Sequence, residues 1–434
     1  MTALLTTAFL AFLTSLSLTP AVIRMSRRFG LVDRPDVDRK LHSQAIPLGG
    51  GVSVLVAGVL SLTVLLSLRN GWSQILPADA SFLAGLAWSA VAICGVGLLD
   101  DRAELKGRQK LAGQIVAVGI LMLSGLLIRN VEILGWKVQL GLLAVPFTLF
   151  WMLGAINALN LLDGADGVAG SVGVILSLAL ACLAALTGHQ TDAAVALVMA
   201  GSLMGFLNYN LPPARIFLGD SGSMLIGLVV GAIAVRSSSE APATVALVPA
   251  TAILAIPILD VTMAILRRKL TGRSLYIADR AHLHHRLQRL GLNGLGTVAW
   301  ISALCACTAM GAVASVYYHH ETLALVIVVI VIGLLVATRV FGYTECLLVC
   351  RRLRTFVWSL IPLDDNTAKQ SRQLCTHLQG DRQWDKAWRT LVDFAERSEL
   401  SMVQLNITVL ALHEDYHALW ETAERCDRGQ LWQA

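Results

Sequence analysis

The chain has 434 residues, 56% of them hydrophobic and only 15% charged, with a mean hydropathy of +0.66. A soluble domain runs to about half apolar and about a quarter charged residues, so this chain carries more apolar surface than one aqueous core hides. The net charge of +5 says little because the basic residues are unevenly placed, and eight cysteines without a CxxC pair indicate neither a disulfide framework nor a zinc site.

In chain order, the first apolar run lacks a basic n-region and is followed by Arg24, Arg27 and Arg28, which suits a retained first span rather than a cleaved signal. A span takes about 20 mostly apolar residues. On that rule about eleven are expected: 2–23, 50–68, 81–99, 111–128, 140–157, 168–187, 193–208, 221–236, 244–266, 297–316 and 322–340. The connections 24–49, 100–110, 158–167, 209–220 and 267–296 carry 18 Lys and Arg; the alternate set carries about four. The positive-inside rule makes the first set cytoplasmic, with the N-terminus outside and the C-terminus inside. After Tyr343 the composition turns polar, with helix-like text at 366–398 and a strand-like run from Met402 to Leu412. The expected organisation is an all-α polytopic membrane domain over 1–342 and a small α/β cytoplasmic tail over 343–434. No nucleic-acid partner is expected.

The residues with chemistry fall in the basic set of loops or the span ends beside them. Arg39-Lys40-Leu-His42 precedes Ile46-Pro-Leu-Gly49-Gly50-Gly51, putting cations at headgroup depth; ordinary basic anchoring explains the pair equally well. Asp100-Asp101 end the third span, followed by Arg102, Lys106, Arg108 and Lys110. Adjacent carboxylates at a membrane boundary repel one another unless a divalent cation or positive ligand sits between them, although a solvated helix end is the plainer account. Asn157 and Asn160 share a helix face that Asp163 extends if the helix continues, and two glycines then turn the chain to bring Asp166 close. Asp166 could instead cap the next helix. In 208–223, two prolines force a loop containing Asn210, Arg215 and Phe217, and Asp220-Ser221 open the next apolar helix. Phe217 reads as plain core or as a ring for a base to stack on. In the long loop after the ninth span come Asp279, Arg280, His282, His284 and His285, with His282 and His285 on one helix face and His284 pointing elsewhere. Imidazoles flanked by arginines suit sugar hydroxyls and phosphate oxygens better than zinc.

Together these clusters resemble the polyprenyl-phosphate N-acetylhexosamine-1-phosphate transferases. The resemblance covers roughly residues 1–340 and rests on RKxHxxxIPLGGG at 39–51, Asp100-Asp101, NxxNxxDGxDG at 157–167, GDSGS at 219–223 and HxHH at 282–285. It implies a multi-pass enzyme of the bacterial cytoplasmic (inner) membrane, of the UDP-GlcNAc branch. The implied reaction converts UDP-HexNAc and undecaprenyl phosphate into undecaprenyl-diphospho-HexNAc and UMP, with Mg²⁺ or in its place Mn²⁺. By resemblance Asp220 and Asn160 hold the metal, and Asp100 or Asp101 orients or deprotonates the lipid phosphate. Asp163, Asp166, Asn210 and Phe217 meet the nucleotide, with Asn157 beside them. Arg280, His282, His284 and His285 hold the sugar phosphate, and Lys40, with His42 nearby, and Lys110 face phosphates. The resemblance mildly favours a homodimer. A transporter is the main non-enzyme rival, disfavoured because the carboxylates sit at span ends rather than midplane. A CDP-alcohol phosphotransferase ranks third, since DGxDG here lacks that family's downstream residues.

Overall fold

A computed structural model describes the chain except residues 1, 34–44, 68–78, 239–243, 271–280, 361–371, 380–383, 399, 410–413 and 422–434. It divides into two compact units, Met1–Thr262 with His282–Leu334, and Met263–Ala281 with Leu335–Ala434.

The first unit is a helical bundle: α1 (Thr2–Arg28), α2 (Gly50–Ser67), α3 (Ala80–Ala103), α4 (Gly107–Leu123), α5 (Ala144–Leu162), α6 (Val168–Leu186), α7 (Gln190–Asn210) and α8 (Gly219–Ser237). Then follow α9 (Leu247–Ile253), α10 (Ala255–Leu270), which runs past the unit boundary, α11 (Leu283–Arg289), α12 (Gly294–Tyr317) and α13 (Glu321–Ala337). Among the described residues, eight helices are long and apolar enough to cross a membrane, or nine if α9 and α10, bent by 79°, form one broken span. Of the eleven expected, 111–128 and 322–340 correspond to helices of 17 residues, α4 and α13. In a bilayer each helix satisfies its own backbone, which is why apolar runs of this length are helical.

The core sits on α8, which packs against α2, α3, α5 and α6 and is almost wholly buried. Close packing there is a matter of small residues. A Cβ on Gly51 would overlap the Gly222 backbone, and one on Gly97 would lie 2.5 Å from the Asp220 carbonyl carbon. At the bundle end where α3 and α7 begin and α8 finishes, Arg236 joins Asp192 (2.8 Å) and Asp79 (3.0 Å) and lies over the Phe82 ring. A short sheet also occurs: β3 (Asn130–Ile133) and β4 (Trp136–Gln139) form an antiparallel hairpin, and β5 (Thr244–Ala246) joins β3 in parallel. Upstream, β1 (Val32–Asp33) pairs antiparallel with β2 (Ile46–Pro47).

In the second unit α14 (Tyr343–Leu360) carries Glu345, whose carboxylate holds Arg267 at 2.5 Å with both side chains buried. Strands β6 (Arg372–Gln379), β7 (Met402–Val409) and β8 (Glu414–Glu421) form an antiparallel sheet in the order β6-β8-β7. Helix α15 (Trp384–Arg397) lays Trp388, Val392 and Ala395, one stripe of its surface, on Tyr416, Ala418 and Trp420. The helix-like text at 366–398 is therefore part strand: 372–379 pairs with β8, and only 384–397 is helical. Strand pairing with a partner some 40 residues downstream outweighs the local pattern.

Candidate functional site: an acidic cavity at one end of the bundle

Helices α3, α5 and α7 end, and α2 and α8 begin, around one cavity of about 950 Å³. Its wall draws on all five loops of the basic set: Asp33, Ile46 and Leu48; Asp100, Asp101, Glu104 and Leu105; residues 163–166; Asn210, Phe217 and Asp220; and His285 with Gln288.

The 46–51 stretch docks straight onto the start of α8. Gly50 and Gly51 donate N–H to the carbonyls of Phe217 and Leu218, and Phe217 N–H returns to Pro47 O at 2.8 Å. Asp220, in the first turn of α8, has its N–H bound by Asp101 Oδ1 at 2.9 Å. Its carboxylate accepts from Lys110 Nζ (2.5 Å) and from Asn160 Nδ2 (2.7 Å), and the same Asn160 nitrogen reaches Ser223 Oγ at 2.9 Å. Lys110 also pairs with Asp100 at 2.8 Å, while Asp100 Oδ1 caps Leu105 N–H. One lysine thus lies between two carboxylates, where like charges would otherwise face each other.

Helix α5 stops at Leu162, so Asp163 stands at its C-cap instead of extending the Asn157–Asn160 face. Burial, with the carboxylates of Asp220, Asp101 and Asp166 around it, holds the Asp163 carboxyl well above the ordinary range. Asp166 does not cap α6; it accepts from Ala214 N–H at 3.0 Å and ties the acidic turn to the proline loop. Asn210 is buried and bonds Ile216 O. Asn157 is absent from the cavity wall, because its amide makes a reciprocal pair with Gln114 at 3.0 and 3.2 Å.

The histidines form a row. His282 and His284 stack in parallel, centroids 6.0 Å apart, and His285 follows at 4.2 Å. Of the three only His285 lines the cavity. His282 is not on the helical face with His285; it is the extended N-cap of α11, bound to Asp260 at 2.9 Å. His284 is 2% exposed, and neither ring nitrogen has a hydrogen-bond partner among the described residues. Burial, with His285 and His282 adjacent, pushes its pKa well below the usual histidine range. Its ring rests on Gly164, where a Cβ would come 2.5 Å from Nε2. Lys40, His42 and Arg280 lie outside the described residues.

The donor set suits a hard divalent cation. Carboxylate oxygens converge, and Asp101 Oδ2 is buried with no hydrogen-bond partner among the described residues. Among the described residues no three His, Cys, Asp or Glu side chains form a cage by themselves.

Sequence reasoning missed Asp260, Gln114, and Asp192 with Arg236. For Asp260 the available signal was a carboxylate inside an apolar run; Gln114 gave none.

A polytopic helical protein with a carboxylate-walled cavity of about 950 Å³ at one end of its bundle has the architecture of a membrane protein with a polar site at the ends of its spans. Residues 83–238 match glycosyl transferase family 4. The chain is 30% identical over 288 residues to a probable undecaprenyl-phosphate N-acetylglucosaminyl 1-phosphate transferase of Bacillus subtilis, covering 65% of this chain and 76% of that protein. It is 32% identical over 339 residues to decaprenyl-phosphate N-acetylglucosaminephosphotransferase of Mycolicibacterium smegmatis, covering 72% and 82%. With undecaprenyl-phosphate alpha-N-acetylglucosaminyl 1-phosphate transferase of Haemophilus influenzae it shares 31% over 323 residues, covering 72% and 86%. The chain belongs to glycosyl transferase family 4, among the polyprenyl-phosphate N-acetylhexosamine-1-phosphate transferases.

Proposed function

We propose that the protein transfers GlcNAc-1-phosphate from UDP-GlcNAc to undecaprenyl phosphate in the bacterial cytoplasmic membrane. The observation that carries this is the meeting of Asp100, Asp101, Asp163, Asp166 and Asp220 in one cavity with Phe217 and His285 in its wall. The GlcNAc choice is supported by the relatives' names. A lipid phosphate oxygen attacks the β-phosphorus; the bond from that phosphorus to the bridging oxygen breaks, and UMP leaves with the oxygen. Asp100 or Asp101, at the C-terminal end of α3, orients the lipid phosphate or takes its proton. Asp163, Asp166, Asn210 and Phe217 receive the nucleotide, and His285, with Arg280 upstream, receives the sugar phosphate. Lys110 and Lys40 serve phosphate charge. Asp220 and Asn160 would hold Mg²⁺ (Mn²⁺ a substitute), Asn160 through its amide oxygen because its nitrogen is spent on Asp220 and Ser223. Bound there, the ion would supply positive charge against the negative charge of the phosphates.

The proposal extends to eleven spans, a cytoplasmic site and C-terminus, and an accessory tail over 343–434 beyond the catalytic 1–342. Loop charge supports that orientation. The test is purified protein with radiolabelled UDP-GlcNAc, undecaprenyl phosphate and Mg²⁺, followed by lipid extraction. Label should enter the lipid phase as UMP is released; no lipid-linked label with any UDP-HexNAc would sink the proposal.

A further inference from the structure

Asp260 lies in the first half of α10 within the apolar text Ala255-Ile-Pro-Ile-Leu-Asp260-Val-Thr-Met, and it is 1% exposed. A carboxylate is costly in such surroundings unless its oxygens are satisfied. Both oxygens go to the same place. Oδ2 lies 2.9 Å from His282 Nδ1, and Oδ1 accepts the N–H of Leu283 at 2.9 Å. The geometry fits a carboxylate that accepts at both oxygens, with the proton between Oδ2 and Nδ1 on the imidazole and, in the neutral ring, Nε2 left as the acceptor nitrogen. The ring so fixed is the first of a row whose second ring seats on Gly164 and whose third lines the cavity.

We propose that Asp260 is a positioning residue for the reaction: it holds His282 as the Nδ1–H tautomer and ties down the start of α11, so that His285 is presented in the cavity wall. The kinetic consequence rests on the transferase function proposed above; the tautomer does not. The logic is that of an outer carboxylate fixing the tautomer and aim of an imidazole that works elsewhere.

The experiment uses the full chain labelled with ¹⁵N-histidine in lipid vesicles, read by solid-state NMR. The wild type should show an Nδ1-protonated signal that disappears in His282→Gln. In Asp260→Asn that signal should be lost, because the amide keeps an oxygen for Leu283 N–H and turns its NH₂ towards Nδ1. In UMP release, Asp260→Asn should lower kcat by about 10- to 100-fold with a smaller change in KM. Combined with His282→Gln it should be no slower than the slower single variant. An unchanged His282 signal in Asp260→Asn, or single losses that multiply in the double variant, overturns the proposal. If Asp260→Asn does not fold, Asp260→Glu carries the test. Its carboxylate should keep the Nδ1–H signal while the displaced ring lowers kcat, and a wild-type kcat refutes the role. Absence of UMP from the wild type with every UDP-HexNAc would refute the transferase function and leave the tautomer result to stand or fall alone.

Discussion

Gly164→Ala should disable the site through a histidine that never touches the cavity. The added Cβ would stand inside contact distance of His284 Cε1 and 2.5 Å from Nε2. Carbon contacts are comfortable near about 3.5 Å, so the ring or the acidic turn must retreat by about 1 Å. The ring has little freedom to do so, being 2% exposed, stacked on His282 and flanked by the tilted His285 ring. Overpacking of this kind costs about 1–3 kcal/mol. A displacement near 1 Å in the elements that carry Asp163, Asp166 and His285 can cost about 100-fold in rate. Gly154→Ala is the control: a Cβ there meets nothing within 4 Å among the described residues, and in the helical α5 it should be neutral or stabilise by about 0.5–1 kcal/mol. The assay is UMP release alongside the apparent melting temperature of the full chain in detergent. In a Gly164→Ala/His284→Ala double variant the clash is gone, and the rate should match His284→Ala alone. A Gly164→Ala protein with wild-type rate and melting, or losses that multiply in the double variant, would refute the packing rationale.

Three further outcomes follow from the same geometry. Asp220→Asn should raise the Mg²⁺ concentration for half-maximal UMP release and lower kcat by at least about 100-fold; an unaltered Mg²⁺ response would exclude Asp220 as a ligand. Because His284 is held below its ordinary pKa, the unfolded chain takes up a proton that the native state refuses as pH drops through the usual histidine range. Stability should therefore decline below about pH 6.5, by no more than about 1.4 kcal/mol per pH unit from this group, and the decline should shrink in His284→Gln; identical melting–pH profiles would contradict it. A chain ending after Leu360 keeps the buried Arg267–Glu345 pair and should release UMP, whereas one ending at 342 strands Arg267 and should lose about 3 kcal/mol of stability. Complete inactivity of the folded, membrane-inserted longer truncate would contradict an accessory tail.

Much of the site is legible in the sequence because its members are polar groups at the ends of apolar runs. Desolvation makes such positions expensive without a purpose, so Asp100, Asp101, Asn160, Asp163 and Asp220 stand out one by one. Their convergence is legible only through sidedness, since all five segments belong to the basic set of loops. Partnerships are harder. His282 and Asp260 are 22 residues apart, and Gln114 and Asn157 are 43 apart, so no helical or strand period relates them. Among the glycines of 49–51, Gly51 serves close approach to Gly222. That demand is tertiary and leaves no local mark. The β3–β4 hairpin is similar: strands of four residues fall below what alternation can reveal, and its turn residues Leu134 and Gly135 both take positive φ.

The charge balance of the cavity bears on how its substrates can enter. Asp33, Asp100, Asp101, Glu104, Asp163, Asp166 and Asp220 line it, and Lys110 is already committed to Asp100 and Asp220. A diphosphate brought within about 4 Å of one such carboxylate meets repulsion of about 4 kcal/mol per charge pair at a protein–water boundary. A site for anions walled by acids is contradictory unless a cation enters with or before the phosphates, and the same acids are what would retain it. Lys110 then does in the resting site what a divalent ion would do in the loaded one, keeping Asp100 and Asp220 from repelling each other. On that account UDP-GlcNAc should raise the melting temperature of the full chain in the presence of Mg²⁺ and leave it unmoved in EDTA. An equal shift in both would mean that the acids do not gate phosphate entry, and would return the burden of anion binding to the basic residues of 34–44 and 271–280.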